Sequence, residues 1–264
     1  MNPPDIVPNS TPEPDTSLLL RPSIFEGIPH LAAGFSTRRG GVSEAPYTSL
    51  NLGSHTGDTI DHIRENRRRL CEALGMTPDQ MVTAGQVHGG TVRIVREAGH
   101  IPSCDGLVTD VPGLLLCIGA ADCAAVLLAD PEAGVVGACH AGWRGLVAGI
   151  AAQTVKTMAK IGAKPKRIRA FVSPCISADA FEVGDTVADQ FDAEYVVHPP
   201  NGDKPHVDLK ASIVGQLGES GVPEAQVEVS PHCTMDESDL FFSHRADEGT
   251  TGRMMGCIGW TESS

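Results

Sequence analysis

Two apolar segments in the middle of the chain are separated by a short polar turn. Residues 124–129 and 135–138 are almost entirely apolar, and the turn between them contains Pro131 and Gly134. Short apolar runs on either side of a Pro/Gly turn are typical of the two strands of an antiparallel hairpin. The pattern therefore predicts a hairpin over about residues 124–140.

The register of this hairpin decides which polar residues meet at its open end. If Ala129 pairs with Val135 across the turn, Cys123 falls opposite Ala141, one position away from His140. Side chains directly across an antiparallel pair lie close enough to interact. The hairpin is therefore expected to bring a thiol and an imidazole to the same place.

Other segments show helical spacing of apolar residues or short strand-like runs. Residues 58–74 and the stretch from Gly145 to Ile161 carry apolar residues at intervals of three and four, which predicts helices. Shorter helices are predicted near 185–195 and 208–217, and further strands at 92–95, 107–109, 114–118, 167–172, 227–229 and 254–258. Strands and helices do not alternate strictly, which favours an α+β fold with mixed β-sheets flanked by helices.

The composition of the N-terminal residues and the length of the chain predict the domain organisation. Residues 1–20 form a predicted disordered tail, because Met1 to Ser17 contains five prolines, three acidic residues and little that is apolar. Residues 21–264 are then expected to form a single domain. A secretory signal and a membrane-spanning apolar stretch are both absent from the sequence. Eight cysteines without a CxxC pair suggest reduced thiols, so a cytoplasmic location is expected.

Charge limits the partners that this chain can bind. Its net charge is −13, from 20 basic and 33 acidic residues. A field of this sign disfavours nucleic acid and anionic membranes. An anionic ligand would need a local cluster of arginines.

The polar residues around the hairpin are the candidate chemistry. Cys123 and His140, with His88 as a third ligand, could bind Zn²⁺, since thiolate and imidazole suit this metal. Three protein ligands leave one position open for water or substrate, which is the arrangement of a catalytic site. Cys139 is the nearest fourth donor, but strand alternation turns its side chain away from that of His140.

The same pair has a second interpretation, in which Cys123 is a nucleophile and His140 its base, without a metal. The spacing does not separate these two roles. Asp122 could orient a ligand imidazole or cap a local turn.

Two arginines are candidate anion contacts. Arg144 lies where a helix begins, and Arg38 precedes Gly40-Gly41, where backbone N–H groups could converge on a phosphate. The alternative for each is a solvated guanidinium or one paired with a surface carboxylate. A solvated guanidinium, or one paired with a surface carboxylate, is the only expectation for Arg39, Arg67, Arg68 and Arg69.

The histidine spacing bears on copper chemistry. Coupled copper sites typically need histidine pairs two residues apart, and none of the ten histidines forms such a pair. A multicopper oxidase mechanism is therefore disfavoured.

Several motifs resemble those of the laccase-domain family, also called YfiH-like or multicopper polyphenol oxidase proteins. The resemblance covers all but the first 20 or so residues. The matching segments are 35–43, 46–53, 66–67, 86–89, 105–109, 121–123, 140–145, 173–176, 181–184, 233–234, 241–245 and 251–254.

This resemblance implies a YfiH-like fold and a zinc ion held by two histidines and a cysteine, which fall on His88, Cys123 and His140. It also implies purine nucleoside phosphorylase activity, in which phosphate cleaves adenosine, inosine or guanosine. Methylthioadenosine phosphorolysis and adenosine deamination are implied by related members, and a zinc-activated water would account for the deamination. Purine nucleoside and phosphate are then the expected partners, of a monomer or a homodimer.

Roles at the site follow as expectations. Catalytic roles are assigned to Arg38, Asp122 and Arg144, and substrate contacts to Arg38, Asn51, Arg144 and Arg245. The alternatives are a cysteine hydrolase acting on amide bonds or peptidoglycan precursors through Cys123, a polyphenol oxidase, and a non-catalytic zinc module.

Overall fold

The computed structural model describes residues 18–200 and 203–262, which contain fourteen β-strands and five α-helices. The strands are β1 (Leu19–Leu20), β2 (Leu31–Ser36), β3 (Met81–Ala84), β4 (Val92–Ile94), β5 (Gly99–Ile101), β6 (Gly106–Thr109), β7 (Leu115–Ala120), β8 (Ala124–Asp130), β9 (Val135–Ala141), β10 (Arg169–Val172), β11 (Val196–Val197), β12 (His206–Val207), β13 (Val227–Val229) and β14 (Met254–Trp260). The helices are α1 (Ile60–Ala73), α2 (Trp143–Val147), α3 (Ile150–Lys160), α4 (Asp185–Ala188) and α5 (Leu209–Glu219).

Two six-stranded sheets dominate the structure. The first has the order β1-β2-β14-β7-β3-β5 and the second the order β13-β10-β8-β9-β6-β4, while β11 and β12 form a small separate pair. Both large sheets contain parallel and antiparallel neighbours; β3 runs parallel to β7, for example, and β8 antiparallel to β9. The predicted α+β fold with mixed sheets is thereby confirmed.

The sheets and helices form four layers. Apolar side chains of both sheets meet in a central core that includes Phe35, Ile118 and Leu127. The outer face of the second sheet packs against α3 and α5, and the outer face of the first sheet packs against α1. Within the described residues, no helix is both long enough and apolar enough to cross a bilayer.

Strand β8 lies at the centre of this arrangement. Every one of its residues is buried, because one face meets the first sheet and the other meets the helices. A strand buried on both faces needs a continuous apolar run rather than an alternating one. The sheets approach closely at Gly256, where an added Cβ would lie 2.6 Å from the Cβ of Ala125.

The hairpin of β8 and β9 forms as predicted, but its predicted register is wrong by one residue. Ala129 pairs with Val136 rather than Val135, and His140 therefore faces Ala125. The cause is Asp130, which extends β8 because its carboxylate accepts hydrogen bonds from two backbone N–H groups of the following turn. The open end of the hairpin still holds both the thiol and the imidazole.

Three further expectations need correction. Residues 1–17 of the predicted tail lie outside the described residues, but Leu19–Leu20 form a strand, so the tail prediction extends too far. The helix after Gly145 is divided at Gly149, whose φ of 72° ends α2 and leaves Val147 exposed. The helix near 185–195 is shorter than predicted and ends at Ala188. Six strands were not predicted, because none shows a clear alternation of apolar and polar residues: β1, β2, β3, β5, β11 and β12.

Candidate metal centre and pocket

Three side chains from separate parts of the chain converge beside the hairpin. Cys123 directly precedes β8, His140 is near the end of β9, and His88 lies in the loop between β3 and β4. One ligand atom from each lies within 4.8 Å of the others, a group that could hold a metal ion. Cys139 stays outside this group and packs on the α3 side of the sheet, as strand alternation predicts. The structure thus brings together the three residues expected from the sequence.

Asp105 holds two members of this trio in position. Its buried carboxylate accepts hydrogen bonds from the backbone N–H groups of Val87, His88 and Gly89, at 3.2, 2.9 and 2.8 Å. The same carboxylate lies 3.1 Å from Nδ1 of His140. A carboxylate only accepts, so Nδ1 of His140 carries a hydrogen, and Nε2 is the ring nitrogen that would bind a metal once it has lost its proton.

The charges of the trio depend on one another. Burial acts to raise the pKa of the Cys123 thiol, but the positive charge of His140 and hydrogen bonds from His140 and His88 prevail and lower it to about 6. Burial acts to lower the pKa of His140, but the Cys123 thiolate and Asp105 raise it to about 9. The metal-free site therefore favours a thiolate beside an imidazolium near neutral pH.

The backbone around the trio is constrained. His88 and Asp122 both have left-handed φ angles, 60° and 80°, which are uncommon for residues with a side chain. Gly142 lies against the thiol, and a Cβ there would be 2.7 Å from Sγ of Cys123. Such conformations persist only where the surrounding structure holds them, and they cluster at functional sites.

One of the two roles predicted for Asp122 was to orient a ligand imidazole, and its hydrogen bonds do not fit that role. Its carboxylate accepts hydrogen bonds from the Thr234 hydroxyl at 2.7 Å and from the backbone N–H of Arg245 at 2.6 Å. It therefore ties the hairpin end to the segment before β14. The carboxylate that contacts the imidazole of His140 is that of Asp105. The sequence indicated Asp105 only as part of a segment that matches the family.

A pocket of about 630 Å³ opens over the trio. Its apolar lining includes Trp143, Ile176, Phe181 and Leu209, and the loop 53–56 also lines it. This volume lies within the range of small-molecule sites, which combine apolar walls with a few convergent polar groups.

Three of the predicted site residues lie outside this pocket lining. Arg38 donates hydrogen bonds to the carbonyl groups of Thr48 and Ser238 and stacks on a phenylalanine ring, so it joins distant segments of the fold. Arg144 is exposed, with its guanidinium 4.2 Å above the ring of Trp143. The third is Asn51. The expectation that Arg38 and Arg144 contact an anion beside the trio is therefore not supported by their positions.

Asn51 is fully buried and organises the loop that follows it. Its side-chain oxygen accepts hydrogen bonds from the backbone N–H groups of Gly53 and Arg253, at 3.1 and 2.9 Å. Its amide donates to the hydroxyl of Thr56 and to the carboxylate of Asp58. Asn51 thus supports one wall of the pocket instead of lining it.

The arginines that do line the pocket are Arg67, Arg245 and Arg253. Arg245 was predicted, and it stands against Phe181 with both terminal nitrogens directed to a backbone carbonyl. Arg67 was expected to be solvated or paired with a surface carboxylate, and this prediction is wrong. Its guanidinium is half-buried and donates to the carbonyl oxygen of Leu52. The neighbouring arginines of α1 do pair with carboxylates, as expected.

The fold and this site define a class of protein: two mixed β-sheets between helices, with a His-Cys-His centre at the strand ends. The family model described as multi-copper polyphenol oxidoreductase laccase matches residues 32–261. The chain belongs to that family, which the resemblance of its motifs also indicated.

Individual relatives support the same assignment. The chain is 44% identical to a purine nucleoside phosphorylase of Deinococcus radiodurans over 250 residues, which is 93% of this chain and 94% of that protein. It is 38% identical to a purine nucleoside phosphorylase of Corynebacterium glutamicum over 231 residues, covering 85% and 92% of the two chains. Among solved structures, YlmD from Geobacillus stearothermophilus superposes with a TM-score of 0.88 at 36% identity, covering 95% of this chain and 98% of that one. The Bacillus licheniformis protein YfiH has a TM-score of 0.84 at 36% identity, with coverage of 88% and 93%.

Proposed function

We propose that this chain is a zinc-dependent purine nucleoside phosphorylase with adenosine deamination as a side activity. The observation that carries the proposal is the His88–Cys123–His140 trio in a nucleoside-sized pocket. The relatives that bear the name purine nucleoside phosphorylase match nearly the whole chain, which supports an enzyme of this kind. The eight free cysteines fit a reducing cytoplasm, where we place the enzyme.

The donor set suits zinc. A thiolate with a lowered pKa and two imidazoles are borderline-soft ligands, and three of them leave a coordination position for water or substrate. Zinc bound there would act as a Lewis acid toward a substrate oxygen or activate a water. Within the described residues, the trio is the single group of three or more potential ligands, whereas coupled copper chemistry needs several such groups in proximity. This favours the phosphorylase over the oxidase in the family description.

The chain's own residues would perform the rest of the reaction. In phosphorolysis, a phosphate oxygen bonds to C1′ of the ribose while the bond from C1′ to the purine nitrogen breaks. The departing purine takes up the electron pair and then a proton. The apolar wall of Trp143, Ile176 and Phe181 would hold the flat base and exclude water, which would otherwise compete with phosphate. Asp122 and Arg245 border the same wall and are proposed to orient the base.

One assay tests this function directly. Protein of known metal content is incubated with inosine or adenosine, with and without phosphate, and hypoxanthine, adenine and ribose-1-phosphate are measured. We expect base and ribose-1-phosphate in equal amounts, only in the presence of phosphate, and loss of both after chelation. Inosine formed from adenosine without phosphate reports deamination. Fully metal-loaded protein that cleaves no nucleoside would refute the proposal.

A second function is favoured by one specific observation, the thiolate of Cys123 beside His140. This pair could serve a cysteine hydrolase that attacks amide bonds of peptides or peptidoglycan precursors. Such a mechanism has no need for the second imidazole, His88, at the thiol. Amide hydrolysis that resists chelators and stops when a thiol reagent modifies Cys123 would favour this alternative. Unfolding on chelation without any turnover would instead indicate a zinc-stabilised module.

A further inference from the structure

The pocket has the opposite charge from the chain as a whole. The chain carries a net charge of −13, yet three arginines and one acidic residue, Asp122, line the pocket. That carboxylate already accepts hydrogen bonds from Thr234 and from the backbone of Arg245. The pocket is therefore locally cationic, which is what binding of an anion from water requires.

Arg67 extends from α1 into this pocket. Its Nε and Nη2 donate to the carbonyl oxygen of Leu52, at 3.0 and 2.9 Å, which fixes the plane of the guanidinium. Nη1 has no acceptor, and no carboxylate pairs with this side chain, among residues 18–200 and 203–262. Burial lowers the pKa of Arg67, so its charge lies in a poorly solvated place where an anionic ligand would bind strongly.

Arg253 reaches the pocket from the residue before β14. Its Nη1 donates to the carbonyl oxygens of Thr251 and Gly252, both at 2.9 Å, and in the described part of the chain Nε and Nη2 have no acceptor. The stem packs on the loop 53–56, since a Cβ on Gly53 would lie 2.7 Å from Cγ of Arg253. A larger residue at position 53 would displace the arginine.

Both arginines are held by one structural unit. Asn51 bonds to the backbone of Arg253, and the backbone N–H of Leu52 donates to the carbonyl oxygen of Arg253 at 3.0 Å. Leu52 in turn is the acceptor for Arg67. Two guanidinium groups that retain unused N–H donors are thus anchored on the same turn. Because paired N–H groups of a guanidinium match the spacing of phosphate oxygens, this arrangement suits a phosphate ligand.

We propose that Arg67 and Arg253, with the loop 53–56, form the subsite that binds inorganic phosphate, the co-substrate of the nucleoside reaction. This inference rests on the proposed phosphorylase function. The subsite lies close to the trio, because the negative charges of Asp122 and Cys123 act on Arg253. Arg245 instead contacts Phe181 of the apolar lining. Phosphate and purine would therefore contact different parts of the pocket lining.

The test compares the Michaelis constants for the two substrates in Arg67→Met and Arg253→Met. Losing a charged hydrogen-bond donor from a phosphate site should raise the KM for phosphate about 10- to 100-fold. The KM for inosine, measured at saturating phosphate, should change less than about threefold. Arg67→Lys and Arg253→Lys retain the charge and should recover part of the loss. Arg68→Met is the matched control on the same helix, because Arg68 is exposed and pairs with Glu65 and Glu72.

Binding of inorganic phosphate to the zinc-loaded protein, measured by calorimetry, provides a readout without turnover. Folded Met variants that keep the wild-type KM and affinity for phosphate would overturn the subsite while leaving the phosphorylase function intact. Conversely, arginine-dependent phosphate binding by a protein that cleaves no nucleoside would refute the function and retain the anion site. Should inosine 5′-monophosphate bind more tightly than inosine through these arginines, the subsite holds a nucleotide's phosphoryl group, contrary to the proposal.

Discussion

Replacing Asp105 with asparagine would change one buried carboxylate into an amide of nearly the same shape. The carboxylate has four donors around it: three backbone N–H groups from Val87 to Gly89 and Nδ1 of His140. Two of these donors share Oδ1 and the other two share Oδ2. An amide has a single acceptor oxygen, so two donors would face an NH₂ group that cannot accept.

The expected loss of zinc affinity follows from the strength of these hydrogen bonds and from their role in orienting His88 and His140. Hydrogen bonds to a charged group contribute about 1.5–3 kcal/mol each, and removing the partner of a metal-bound imidazole typically weakens metal binding about 10- to 100-fold. This corresponds to about 1.4–2.7 kcal/mol of binding free energy. We therefore expect Asp105→Asn to bind zinc about 10- to 100-fold more weakly than the wild type, because His88 and His140 lose their fixed orientation.

Chelator competition on the metal-free protein measures this zinc affinity directly, and thermal unfolding of the same sample shows whether the variant is folded. Asp110→Asn is the matched control. Asp105 directly precedes β6 and Asp110 directly follows it, but Asp110 pairs with Arg96 at the surface. Wild-type zinc affinity in a folded Asp105→Asn protein would refute the reasoning. So would equal losses in both variants, because only one carboxylate contacts the trio.

Further predictions concern the thiol and its surroundings. Cys123→Ala should lose stoichiometric zinc and phosphorolysis together, whereas Cys139→Ala should keep both; metal analysis and the inosine assay check this. Gly142→Ala should weaken zinc binding, because its φ of −85° tolerates alanine but the new Cβ would lie 2.7 Å from Sγ of Cys123; unchanged chelator competition would contradict it. In metal-free protein, the rate at which iodoacetamide alkylates Cys123 should rise with a midpoint near pH 6. The lowered pKa of the thiol gives a stabilisation that is lost as pH falls through about 6, and the raised pKa of His140 gives one that is lost as pH rises through about 9. Between these limits the two contributions change in opposite directions with pH, so the unfolding free energy of metal-free protein should vary little from about pH 6 to 9, and a steep rise or fall across that range would contradict the paired charges.

Parts of the site were accessible from local pattern alone. The turn between β8 and β9 is short, so the two strand ends must meet, and Cys123 and His140 were expected at one end despite the register error. The same alternation correctly turned Cys139 away. His88 was included in the predicted trio because of its loop position and the family resemblance. It is 35 residues before Cys123, so local pattern does not show its contact with the hairpin.

The arginines show where local pattern fails. Arg38 precedes a glycine pair, which resembles an anion-binding turn, but it donates to Ser238, 200 residues away. Arg67 stands in a helix among surface arginines, but it follows Ile63 by four residues and precedes Leu70 by three, so spacing places it on the buried face of α1 and Arg68 outside it. Spacing does not show that the loop after Asn51 packs against this face and supplies the carbonyl that Arg67 contacts, so its place in the pocket was missed.

The amino-acid order determined those features that arise between neighbours in the chain: amphipathic helices, the central hairpin and the meeting of a thiol with an imidazole at its end. Tertiary structure alone decided which carboxylate orients the imidazole and which guanidinium groups face the pocket. Asp105 is 35 residues from His140, and Asn51 is 202 residues from Arg253. Contacts over such separations depend on how the two sheets and α1 pack, since each residue's own segment places no constraint on its distant partner.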